Sequence, residues 1–384
     1  MSVDTGTYSR GLEGIIADET AVSRIDGQKG ELYYRGYAIE DLAAHSDYEE
    51  VVYLLLYERL PAKPELAAWR TRMRSSRDIP TQVREMIRAF PVSAHPMQLL
   101  QSVMAYMSSY IEHRIHHSAT CDCRDTLHQV VQTASVVAAY QRYRENQQYV
   151  PPLADRSHGA NFLYMVRGRE PEEYEGRIMD TCLLLHAEHE FNASTFTARV
   201  VASTLSTCYC SISAAMGALY GSLHGGANER VMEMVEEIGS KERVGAWLDK
   251  ALAEKRKVMG MGHREYKVKD PRSFVMEEFL KELAEKKGDP HYYEILKEIE
   301  RQFRERMEEK GKPIYPNVDF FSGAVYTMLG LPRILFTPIF AAARVAGWLA
   351  HVLEQRKDNR IYRPESLYRG PAPRAWIPLD QRGD

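Results

Sequence analysis

The chain holds 384 residues, 44% of them hydrophobic, and its 50 Lys and Arg nearly balance 53 Asp and Glu for a formal net charge of -3. A chain of that size buries a large core and has room for two or three domains, while the mild charge argues against a nucleic-acid-binding protein. No basic n-region precedes an apolar h-region at the N-terminus, and no run approaches the roughly 18 apolar residues of a membrane span, so the expectation is a cytoplasmic protein with no membrane partner.

Residues Leu12 to Tyr37 set Ile15-Ile16 and Leu32-Tyr33-Tyr34 between Gly14, Gly27, Gly30 and Gly36. They predict short strands joined by turns, the sharpest at Asp26-Gly27. From Ile39 the pattern becomes helical. Tyr48 to Tyr57 sets Val51, Val52, Leu54, Leu55 and Leu56 against Glu49, Glu50 and Glu58; Leu60-Pro61 ends that helix and Lys63 to Met73 forms the next. Pro80, Pro91 and Pro96 punctuate further helices, and Gln98 to Ile111 and Thr126 to Tyr143 predict long buried ones. Gln147 to Pro152 is a polar connection, Asp180 to Glu188 an apolar helix, and Thr197 to Tyr220 reads as one long helix of small side chains. Five cysteines, Cys121, Cys123, Cys182, Cys208 and Cys210, include two pairs at i, i+2. That pattern suits neither a disulfide framework nor a zinc knuckle, and free thiols are expected.

Beyond His224 the composition turns to charge, with Glu233 to Lys257 and Met276 to Lys312 spaced as exposed helices. Ala324 to Ala350 is apolar again, broken by Gly330 and Pro332, and a Pro- and Arg-rich tail starts at Tyr362. The expectation is an all-α protein with a short extended N-terminal segment. Residues 1–222 begin a large helical domain, 223–329 form a smaller inserted one, and 330–384 return to the first and end in the tail. A cleft between two such domains is a usual place for a small-molecule site.

Leu223-His224-Gly225-Gly226-Ala227-Asn228-Glu229 places an imidazole beside two residues with almost no side chain, just ahead of a helix start. A histidine there can donate to a developing oxyanion. Gly260-Met261-Gly262-His263-Arg264 repeats the glycine-flanked histidine, Asp270-Pro271-Arg272 follows, and Tyr315 to Gly323 sets Asp319 among aromatic rings. Taken singly, Arg272 reads as a surface charge at a helix start, Arg344 as an interface cation and Asp319 as a cap. Brought together, the guanidiniums of Arg272, Arg344 and Arg363 suit a small di- or tricarboxylate. His189, His224 and His263 with Asp319 suit proton abstraction beside a carbonyl.

Those motifs, in that order, with Gly11-Leu12-Glu13-Gly14, Tyr34-Arg35-Gly36-Tyr37, His95-Pro96-Met97 and Arg363-Pro364, closely resemble citrate synthase over nearly the whole chain. The resemblance implies a homodimer of two-domain helical subunits that bind oxaloacetate, close, and then bind acetyl-CoA. It implies Asp319 as the base toward the thioester methyl, His224 as donor to the thioester oxygen, and His263 as the acid toward the oxaloacetate carbonyl, with water then cleaving citryl-CoA. By the same match His189 contacts oxaloacetate, and Arg272, Arg344 and Arg363 hold its carboxylates, Arg363 from the other subunit. Gly260, Gly262, Arg264 and Lys257 are the candidates for CoA. No metal or other cofactor is implied. Tyr220 and Ser222 stand where relatives more often carry Lys and Pro, and Glu265 where Val is common. The stretch His113 to Cys123 has metal-ligand residue types without a standard zinc spacing and reads as a turn between helices. The rival readings are a 2-methylcitrate synthase acting on propionyl-CoA and a non-catalytic helical binding protein.

Overall fold

The structure, a computed structural model, describes residues 8–111 and 127–382, so the stretch His113 to Cys123 lies outside it. Three short strands, β1 (Ser23–Asp26), β2 (Glu31–Tyr34) and β3 (Tyr37–Ala38), form an antiparallel sheet in the order β1-β2-β3. Ser23 pairs with Tyr34 and Asp26 with Glu31, so the turn falls at Gly27 to Gly30, as the Asp-Gly step predicts. Past the sheet the described chain is mostly helical. Its first eight helices are α1 (Ile39–His45), α2 (Tyr48–Tyr57), α3 (Lys63–Ser75), α4 (Thr81–Ala89), α5 (Pro96–Ile111), α6 (His128–Arg144), α7 (His158–Arg167) and α8 (Glu173–His186). Then come α9 (Ala193–Ser203), α10 (Cys208–Tyr220), α11 (Ala227–Ile238), α12 (Val244–Ala253), α13 (Pro271–Lys287), α14 (His291–Glu308), α15 (Val318–Met328) and α16 (Phe336–Lys357). The all-α expectation holds.

Helix α16 is the axis of the core, packed against α2, α6, α8, α9 and α10. It is apolar around most of its circumference because it has neighbours on every side. By length and hydropathy alone it could cross a membrane, but 89% of its apolar window is buried among these helices, as in the core of a globular domain. Helices α2 and α7, which touch each other, share one cap. Asp180 on α8 accepts the N–H of Tyr48 at 2.9 Å and of Gly159 at 2.8 Å, so one carboxylate satisfies the first turns of both α2 and α7. Burial and the nearby Asp47 push Asp180 up to about 7.

Two expectations need correction. Thr197 to Tyr220 is not one helix: α9 ends at Ser203, Leu205 takes a left-handed φ of 60°, and the Thr207 hydroxyl caps α10 by accepting the Cys210 N–H at 3.2 Å. Ser and Thr offer the backbone local hydrogen bonds that compete with helix continuation. Cys182 and Cys210 are free thiols, but Cys208 is disulfide-bonded.

From α11 onward the packing changes partners: α11 and α13 lie on α15, while α12 and α13 lie on α14. Their outer faces carry exposed ion pairs such as Arg301–Glu305 at 2.9 Å and Arg256–Glu237 at 2.5 Å. Such solvent-screened pairs contribute little, so the buried faces hold these helices together. Positions 222 and 329 both fall in the connections flanking this group, before α11 and after α15.

Candidate active site

A cleft of about 1100 Å³ is walled by α16 on one side and by the first turns of α9, α11, α13 and α15 on the other. Four helix N-termini meeting at one cavity bring positive dipole ends together, a setting that favours an anionic ligand. The wall includes His189, His224, His263, Arg264, Arg272, Asp319 and Arg344, so seven of the residues singled out in the sequence converge. Residues Gly11 to Asp18 also line it.

His224 sits in the turn before α11, closed by its own N–H to Gly221 O at 2.9 Å. Gly225 follows because a Cβ there would stand 2.2 Å from the Leu219 carbonyl oxygen. The His224 Nε2 accepts the backbone N–H of Ser194 at 3.2 Å and lies 2.8 Å from the Ser194 hydroxyl. An amide can only donate, so Nε2 is bare and the ring proton sits on Nδ1. Ser194 is itself fixed: its hydroxyl accepts from Trp348 Nε1 at 3.1 Å, gives its one hydrogen to the bare His224 Nε2, and lies 2.7 Å from Asn192 Oδ1.

His263 is arranged the same way with the nitrogens exchanged. Its Nδ1 accepts the N–H groups of Glu265 at 3.0 Å and Tyr266 at 3.3 Å, which leaves the proton on Nε2. Burial, reinforced by the Arg344 guanidinium, lowers His224 to about 4. Burial and then Arg272 lower His263 to about 4 as well. Near neutral pH both rings are uncharged N–H donors. His189 is held well below its ordinary value by burial and Arg272, and its Nε2 lies 3.2 Å from the Tyr266 hydroxyl.

Asp319 stands in the first turn of α15. Asn317 caps that turn by accepting the Asp319 N–H at 2.9 Å, and its amide nitrogen donates to Gly262 O at 2.8 Å, which ties α15 to the His263 loop. Burial raises the Asp319 carboxyl to about 6, with Arg272 opposing and Asp270 adding to the rise. Such a value suits a general base that must take a proton near neutrality.

Arg272 is no surface charge: it is 2% exposed and paired twice with Asp270, Nε to Oδ1 at 3.0 Å and Nη2 to Oδ2 at 2.7 Å. Burial alone would raise Asp270, but Arg272 outweighs it and holds the carboxyl below the usual carboxylate range. Arg344 donates from Nε to His186 O at 2.6 Å, lies over the Phe340 ring at 4.6 Å, and is pushed down to about 10 by burial against the pull of Glu188. Two fixed guanidiniums beside neutral imidazoles form a receptor for carboxylates.

Other candidates lie elsewhere. Arg363 is exposed and does not line the cleft of its own chain, although the neighbouring Tyr362 bonds Asp18 on its wall, and Lys257 is exposed outside it. Gly260 is buried against Phe320, and Gly262 is half-buried; neither is on the wall. Arg264 is at the rim, 3.9 Å from Glu13. The contributions of Ser194, Tyr266, Trp348 and the Gly11 to Asp18 segment were not foreseen from sequence, since each acts through a contact with residues far away in the chain. Among the described residues no group of three or more His, Cys, Asp or Glu side chains is placed to hold a metal ion.

A carboxylate of raised pKa sharing one cleft with uncharged imidazole donors and guanidiniums is a set of groups suited to an enzyme that takes a proton from carbon next to a carbonyl group. The family model described as citrate synthase, C-terminal domain, matches residues 11–365. The citrate synthase of Synechocystis sp. is 43% identical, with 100% of this chain and 96% of that protein covered. The 2-methylcitrate synthase of Shewanella oneidensis is 38% identical over 97% of each chain. A solved citrate synthase of Thermoplasma acidophilum, a ternary complex with carboxymethyl coenzyme A and oxaloacetate, is 34% identical with a TM-score of 0.90, covering 98% of this chain and 100% of that one. The chain belongs to the citrate synthase family of acyltransferases.

Proposed function

We propose that the protein condenses acetyl-CoA with oxaloacetate and hydrolyses citryl-CoA, releasing citrate and CoA. In this reading Asp319 takes a proton from the thioester methyl while His224 Nδ1–H donates to the thioester oxygen. A thioester methyl is a very weak acid, so the carboxylate succeeds only if the enolate oxygen is hydrogen-bonded as its charge develops. The enolate carbon attacks the keto carbon of oxaloacetate, and His263 Nε2–H passes its proton to that carbonyl oxygen. His189, Arg272 and Arg344 hold the keto-diacid, with Arg363 arriving from the second subunit of a homodimer. Gly260, Gly262, Arg264 and Lys257 remain the candidates for CoA, reached when the helices of residues 223–329 swing as a small domain against 1–222 and 330–384. No metal or redox cofactor takes part, and the setting is cytoplasmic.

The observation that carries this reading is the pair of histidines whose acceptor nitrogens are each tied to backbone N–H groups, which leaves a donor on each ring. Asp319→Ala should lower condensation by roughly 10²–10⁴-fold with the fold kept. Unchanged turnover would remove Asp319 from the mechanism. Similarity to a 2-methylcitrate synthase keeps propionyl-CoA as a second acyl donor, because one methylene is worth only about 1–3 kcal/mol of discrimination. Acetyl-CoA should have the higher kcat/KM of the two, and a clear preference for propionyl-CoA would reverse the order.

A further inference from the structure

Tyr266 touches both histidines of the carboxylate end of the cleft. Its ring centroid lies 5.7 Å from that of His189 and 4.8 Å from that of His263, and the two imidazoles are 5.3 Å apart. The backbone N–H of Tyr266 donates to His263 Nδ1 at 3.3 Å, while its hydroxyl lies 3.2 Å from His189 Nε2. One residue thus reaches a ring nitrogen of each, through different atoms.

The direction of the second bond follows from counting hydrogens. Tyr266 is 4% exposed, and among the described residues its hydroxyl has only the His189 contact. Were His189 Nε2–H the donor, the phenolic hydrogen would be buried with no acceptor, an arrangement costing about 1–3 kcal/mol. With the phenol donating, Nε2 is the bare nitrogen and the ring proton of His189 sits on Nδ1, which makes no hydrogen bond within the described chain.

The tyrosine is itself anchored at the neighbouring peptide. Lys267 N–H donates to Gly27 O at 2.8 Å, and a Cβ at Gly27 would lie 2.2 Å from Glu265 O, so the turn of the β1–β2 hairpin is seated against the loop with no clearance. The hairpin also holds the other loop: Ser23 Oγ donates to Glu188 Oε1 at 3.0 Å and the Tyr34 hydroxyl to Glu188 O at 2.9 Å, one residue ahead of His189.

We propose that Tyr266 is a positioning residue that sets the tautomer of His189 through its hydroxyl, so that His189 offers Nδ1–H, and His263 offers Nε2–H, to the keto-diacid. The part concerning oxaloacetate rests on the function proposed above; the tautomer does not.

Tyr266→Phe keeps the ring and removes the donor. Its KM for oxaloacetate and its calorimetric Kd for oxaloacetate should rise roughly threefold to tenfold, the loss of one net hydrogen bond, with KM for acetyl-CoA unchanged. Imidazole-¹⁵N-labelled wild-type protein without substrate should show His189, identified by its loss in His189→Gln, with a bare Nε2, and Tyr266→Phe should show a mixture of tautomers. A wild-type His189 protonated on Nε2 overturns the proposal without any variant. Equal changes in both KM values, or none, overturn it as well, since ring packing would then account for the residue. Wild-type protein that neither binds nor turns over oxaloacetate would defeat the assigned function, and the nitrogen spectrum would still decide the tautomer.

Discussion

Asp319 shows how a functional group departs from its ordinary chemistry for a reason that can be named. Burial raises it to about 6 while His224 and His263 are lowered to about 4, so between those values the imidazoles are already neutral and only the carboxyl still changes charge. The acid limb of kcat/KM should therefore lie near pH 6 and fall about tenfold per pH unit below it. A limb near 4 in the measured profile would assign the titration to the histidines. The same shift has a stability sign. A carboxyl whose folded pKa is raised favours folding below its unfolded value, and that contribution is lost as pH rises through about 6. Asp319→Asn should thus gain thermal stability over wild type as pH rises from about 4 to 6, hold that gain above 6, and show none at lower pH. Thermal melts across that range check it, and a gain independent of pH would count against burial as the cause. At this scale the sequence was informative: His224, His263, Asp319, Arg272 and Arg344 carry motif signals. Ser194 and Tyr266 do not, because a residue that acts on another's ring nitrogen is marked only by a meeting in space.

Among the elements, the N-terminal sheet has the least regular structure and one of the more demanding contacts. Gly27 has no special φ; it is there because Glu265 O occupies the place of a Cβ. Gly27→Ala should force the hairpin and the His263 loop apart, costing about 1–3 kcal/mol of stability and lowering kcat. Melting and steady-state kinetics of that variant would test this, and a variant as active and stable as wild type would show that the two segments separate freely. Periodicity located the helices well, as Tyr48 to Tyr57 shows residue for residue. It failed at Thr204 to Thr207, where the hydrophobic pattern runs on but hydroxyl groups and a left-handed Leu205 end one helix and begin another. Such breaks are made by local hydrogen bonds, which a pattern of apolar positions does not record.

For the molecule as a whole, the exposed position of Arg363 makes a prediction about assembly. If each site borrows this guanidinium from the other subunit, coexpressing Arg363→Ala with Asp319→Ala should restore about a quarter of wild-type activity, since half the dimers are mixed and each holds one intact site. Recovery no greater than the sum of the two variants would place Arg363 in its own chain's site. The convergence of residues as far apart as His189 and Arg344 was legible only through the family resemblance, because nothing in spacing brings distant segments together. One more consequence lies in the order of synthesis. The helix that fills the middle of the large helical assembly, α16, follows in the chain every wall of its groove. Until it is made the nascent chain carries an open greasy trough, a surface prone to aggregation, and the interior closes only once that helix seats.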